Sequence, residues 1–104
     1  MTIQFNTDKN LTIHEEFRNK LSAHLSEKLN RFSENITRIE VHLSDDNGHK
    51  QGQGDKKCLL EARVEGRPPI AVSALANNYE IAVDGAIDKL KSSLDTVFGR
   101  LSKH

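Results

Sequence analysis

From Tyr79 to Leu101 the residues Tyr79, Val83, Ala86, Ile87, Leu90, Leu94, Val97, Phe98 and Leu101 recur at steps of three and four. At about 3.6 residues per turn this spacing lines one side of an α-helix with a continuous apolar stripe. Such a helix needs a second layer to bury the stripe, so the run excludes an isolated helix or an extended chain. The same helix sorts its charges. At about 100° per residue, Lys89, Ser93, Thr96, Arg100 and Lys103 fall along one flank of the stripe, and Asp84, Asp88 and Asp95 along the other.

The second layer is legible upstream. Ile3 and Phe5 share one face of a short strand over Thr2 to Asn6. Thr12 with Glu15 fits a capping box, and Ile13, Phe17, Leu21, Leu25 and Leu29, closed by Phe32, predict a first helix over Ile13 to Phe32. Ile39, Val41 and Leu43, then Cys58, Leu60, Ala62 and Val64, alternate with polar residues as two half-buried strands. Gly66 and Pro68-Pro69 make a turn, Ile70, Val72 and Ala74 a fourth strand, and Asn77 or Asn78 the cap of the last helix. The order βαβββα, with every strand apolar on one side, predicts an α+β two-layer sandwich: a four-stranded mixed sheet with both helices on one face. The first two strands are expected to be parallel through a right-handed crossover, and the rest an antiparallel meander. The segment from Asp45 to Asp55, with three glycines and no apolar residue, reads as a long mobile hairpin loop.

With 104 residues the chain is expected to be a single domain spanning 1–104. No apolar run approaches the roughly 20 residues of a membrane helix, and the opening Met1-Thr2-Ile3-Gln4-Phe5 lacks a secretory pattern, which makes the cytoplasm the expected compartment. One cysteine, Cys58, excludes an internal disulfide, and its place in an apolar alternation makes it a buried small hydrophobe. Fifteen basic and fifteen acidic residues cancel, so a polyanion partner has to be argued from local sorting of charge. The glycines of the 45–55 segment lack a phosphate-loop context, Asp45-Asp46 lacks the rest of a calcium loop, and the five histidines show no ligand spacing. No metal, cofactor or catalytic grouping is expected.

A second basic edge runs along the first helix. Lys20, His24, Lys28 and Arg31 each stand one residue from a core position. If the helices pack side by side, two cationic flanks would form a groove or ridge suited to a phosphate backbone. The structural reading of the same lysines is that their stems cover apolar surface while the ammonium stays wet.

The stretch Ala76-Asn77-Asn78-Tyr79-Glu80-Ile81-Ala82-Val83-Asp84-Gly85-Ala86-Ile87-Asp88-Lys89-Leu90 resembles the last-helix signature of the ribosome hibernation-promoting factor family, which includes the ribosome-associated inhibitor protein Y and the sigma-54 modulation proteins. Ile3-Gln4-Phe5-Asn6, Asn10-Leu11-Thr12-Ile13 and Arg18 extend the likeness over nearly the whole chain. The resemblance implies a βαβββα domain, similar in outline to double-stranded-RNA-binding domains. It also implies a non-enzymatic factor that binds 16S rRNA at the decoding region of the small ribosomal subunit and blocks tRNA and mRNA when growth stops. Lys89 and Arg100 fall where relatives carry basic residues facing rRNA, and His24 where a lysine is usual. With Arg18, Lys20, Lys28, Arg31 and Lys103 they make up the expected rRNA-binding set. Relatives continue the last helix with a dense basic series, whereas this chain has Thr96-Val97-Phe98-Gly99, and Gly99 weakens a helix by about 1 kcal/mol relative to Ala. Ending at His104, the sequence looks like the short type, which implies the 70S ribosome and a second hibernation factor as further partners. The rival readings are an assembly module of the same fold that has lost ribosome binding and forms a weak homodimer, and a binder of RNA duplexes.

Overall fold

The computed structural model describes residues 1–7, 13–45 and 55–102, with side chains of the last helix as far as residue 98. The elements follow the expected order: β1 (Thr2–Thr7), α1 (Glu15–Lys28), a short 3₁₀ turn (Asn30–Phe32), β2 (Ile36–Asp45), β3 (Lys56–Val64), β4 (Ile70–Ala76) and α2 (Tyr79–Ser102). The sheet runs β1-β2-β3-β4. β1 lies parallel to β2, with Ile3 opposite Ile39 and Phe5 opposite Val41, and β2–β3 and β3–β4 are antiparallel, as the alternation predicts. The loop expected over Asp45 to Asp55 lies, from 46 to 54, outside the described residues; its ends are pinned by Lys56 Nζ on Asp45 Oδ2 at 2.6 Å.

One apolar core joins the layers. Leu21, Leu25, Leu29 and Phe32 from the first helical segment and Val83, Ala86, Ile87, Leu90 and Leu94 from α2 are buried with Ile39, Val41, Leu43, Cys58, Leu60 and Ala62 of the sheet. Cys58 is fully buried, and burial pushes its thiol pKa up to about 12. Along β2 the alternation slips once, since Ile36 and Ile39 are both buried. A register shift between Ile36 and Arg38 absorbs the extra residue, and the Thr37 hydroxyl donates to the Arg63 carbonyl at 3.1 Å.

The element ends depart from expectation at α1. His14 occupies its N-cap with no side-chain cap bond, and Glu15 is the first helical residue, so Glu15 cannot be the third residue of a capping box; Thr12 lies outside the described residues. The helix stops at Lys28 and tightens into the 3₁₀ turn, which keeps Phe32 on the buried side. At α2 the cap is Asn78, whose Oδ1 accepts from the Ile81 N–H at 2.9 Å. The β3–β4 turn closes with the Arg67 N–H on the Val64 carbonyl at 3.1 Å, and Gly66 there has φ +74°, the left-handed value a third turn position of this kind requires. Inside α2, Gly85 costs helix propensity but permits contact with the sheet: a Cβ there would meet the Ala74 Cβ at 3.1 Å.

Candidate nucleic-acid interface

The basic edge of α1 does not open onto a cationic groove. It meets the acidic flank of α2. Lys20 Nζ lies 2.9 Å from Glu80 Oε1, His24 Nε2 contacts Asp84 Oδ1, and Arg31 Nη2 contacts Asp95 Oδ1. Lys28 and Asp88 line a second cleft one turn on, together with His24 and Asp84. The first two rungs advance together, 20 to 24 beside 80 to 84, so the two helices run in the same direction, and the third pairs Arg31 with Asp95 about one turn further along α2 than that step would give. Between the upper rungs a cleft of about 290 Å³ is lined by Lys20, Leu21, Ala23, His24, Glu27, Glu80 and Asp84. Along this seam four carboxylates of α2 face three permanent cations and a histidine, so its field is balanced or slightly negative. The expected pair of cationic flanks around one groove is thereby corrected: periodicity gave both flanks of α2 but not which one α1 would meet.

Exposed pairs of this kind contribute only about 0–1 kcal/mol each. Lys20 and Arg31 keep most of their side-chain surface in water, 65% and 63%. A phosphate could displace a carboxylate from either, but the carboxylates would stay close and repel it.

The basic flank of α2 is placed differently. Lys89 is exposed at the rim of the sheet, where its ammonium donates to the Ser73 carbonyl of β4 at 2.7 Å. Arg100 continues the same flank within the helix, Arg18 is exposed on the first turns of α1, and Lys103 lies outside the described residues. The expected set therefore divides: Lys20, His24, Lys28 and Arg31 gather along the seam, Lys89 and Arg100 lie on the opposite flank of α2, and Arg18 stands apart.

The sequence reading took the open sheet face only as wet, yet it carries a charge cluster. Arg38 and Arg63 are opposite each other across β2–β3. Both converge on Glu40, Arg38 Nη2 at 3.1 Å and Arg63 Nε at 3.5 Å from Oε2, while Asn6 Nδ2 donates to Oε1 at 3.5 Å. His42 lies 3.9 Å from the same carboxylate and Glu61 3.7 Å from Arg63. Glu40 is only 15% exposed, and Arg38 Nε is buried without a partner. The signal was present as the polar half of each strand's alternation. Among the described residues no group of three potential ligands is placed to hold a metal.

Phe98, which stands where a basic series was expected, closes one end of the core. Its ring centroid is 6.1 Å from that of Phe32, the Arg31 guanidinium lies 4.6 Å over Phe32, and that of Arg67 5.9 Å over Phe98. It is a packed residue rather than an exposed apolar patch.

A two-layer βαβββα domain with basic residues along its helices is a fold shared with proteins of the ribosome. The Protein Y N-terminal domain of Thermus thermophilus superimposes with a TM-score of 0.72 at 20% identity, over 93% of this chain and 99% of that one. A ribosomal subunit interface protein from Coxiella burnetii gives 0.71 at 20% identity, over 95% and 99%. These likenesses show the fold. Among curated proteins none matches significantly by sequence. Residues 5–102 match the family described as Sigma 54 modulation protein / S30EA ribosomal protein, and the chain belongs to that family, one of ribosome-associated factors rather than enzymes.

Proposed function

We propose that this protein is a cytoplasmic translation inhibitor that binds 16S rRNA at the decoding region of the small subunit and excludes tRNA and mRNA during growth arrest. The observation that carries the proposal is the family match across residues 5–102, on a chain whose fold matches that of ribosomal subunit interface proteins. The flank of α2 that bears Lys89 and Arg100 is the favoured contact surface, because it faces away from the acidic seam. Arg18, Lys20, Lys28 and Arg31 act as secondary contacts, and Lys103 extends the main surface. The 70S ribosome and a second hibernation factor are the further partners of this reading.

Co-sedimentation with small subunits and whole ribosomes across a salt series tests it. Binding should weaken with salt, with a slope of about 0.7–0.9 per phosphate contact, and be competed by tRNA. Lys89→Glu with Arg100→Glu should abolish it, and unchanged binding by that variant rules out the surface. A second reading, an assembly module that has lost ribosome binding, draws on the cancellation of the α1 basic edge by Glu80, Asp84 and Asp95. Absence of binding at low salt would favour it.

A further inference from the structure

β4 forms one edge of the sheet, and its sequence Ile-Ala-Val-Ser-Ala-Leu-Ala carries no charge. An uncharged exposed edge is a template for another strand unless something covers it. Ile70, Val72, Ala74 and Ala76 pack against the core, so Ala71, Ser73 and Leu75 lie on the open face, where Leu75 is 56% exposed.

The bond from Lys89 fixes which backbone groups point outward. A Ser73 carbonyl that accepts from a helix side chain at the rim is turned away from β3. By the alternation of an antiparallel ladder, Ala71, Ser73 and Leu75 then present both N–H and C=O to the free edge. This edge is self-complementary. Two antiparallel copies related by a two-fold axis at Ser73 place Ser73 opposite Ser73, and Ala71 opposite Leu75 on both sides of the axis, small against large. Lys89 stands at that axis. Its ammonium occupies the carbonyl that a second Ser73 N–H would need, and two copies would bring two ammonium groups together.

We propose that the free edge of β4 is a pairing surface for a second copy of this chain, centred on Ser73, which Lys89 holds closed in the isolated protein. The proposal is independent of ribosome binding, and its test contains no ribosome. Sedimentation equilibrium compares the wild type, Lys89→Ala and the double variant Lys89→Ala with Ser73→Pro. The Ser73 N–H makes no ladder bond, so proline blocks the added strand while leaving the β3–β4 pairing intact; circular dichroism checks the fold of each variant. Lys89→Ala should dimerise at a concentration at least about tenfold lower than the wild type needs, and the double variant should return to monomer. Hydrogen exchange at the Ala71 and Leu75 amides of Lys89→Ala should slow as dimer forms. A Lys89→Ala protein no more associated than the wild type overturns the proposal, as does a dimer in which those amides exchange at the monomer rate.

Discussion

Two seams run along α2, and they are built in opposite ways. Toward α1 the outer contact is a ladder of water-exposed ion pairs, Lys20–Glu80, His24–Asp84 and Arg31–Asp95. Toward the sheet it is steric: a Cβ added at Gly85 would meet the Ala74 Cβ at 3.1 Å, so even a methyl group needs its neighbour to give by a few tenths of an ångström, and Ala74 is the register partner of the fully buried Cys58. One helix thus uses charge where water reaches and shape where it does not. The difference follows from magnitude, because an exposed pair contributes at most about 1 kcal/mol while misfit in a packed interior costs about 1–3 kcal/mol.

The sharpest way to break the contrast is Gly85→Val. Forcing α2 away from β4 should lower unfolding free energy by about 1–3 kcal/mol in urea titration, and a change below about 0.5 kcal/mol would show that the buried seam yields as easily as the exposed one. Cys58 reports on the same seam through pH. Its thiol is held protonated to about pH 12, above the ordinary value of 9.0, so only the unfolded chain releases the proton between those limits. Stability should therefore fall as pH rises through that window, by up to about 1.4 kcal/mol per unit, and the slope should be shallower in Cys58→Ala. An identical slope in both proteins would place the alkaline sensitivity elsewhere. The smallest effect belongs to the ladder. Asp84→Asn should change stability by no more than about 1 kcal/mol, with the difference shrinking at high salt. If the seam opposes polyanions, the same substitution should tighten salt-dependent ribosome binding.

Most of the architecture was legible because burial repeats at the period of each element. Ile39, Val41 and Leu43 gave β2, and Leu21, Leu25 and Leu29 gave α1, in the places the structure has them. The start of α1 was misjudged because Thr12 and Glu15 satisfy a capping pattern, whereas the helix begins at Glu15 itself. The candidate site was legible as residues and not as an arrangement. Periodicity places Lys20 and Arg31 beside the α1 stripe and Asp84 and Asp95 beside that of α2, but their meeting depends on how both helices lie across the sheet, a tertiary fact with no local signal. The Arg38–Glu40–Arg63 cluster was hidden for the same reason: its members lie on different strands, and only the register brings them together.

The ladder has one property that its individual bonds do not. Its rungs do not recur at every turn, so sliding α1 by one turn would set Lys20 beside Asp84 and His24 beside Asp88 but would leave Lys28 beside Ser92 and carry Arg31 past Asp95. It is a ruler with unequal marks: it tells the helices to lie alongside each other and also where to stop. The teeth underneath, Leu21, Leu25, Leu29 and Phe32, mark the same stopping point, so the charges at the surface and the packing below agree on one position.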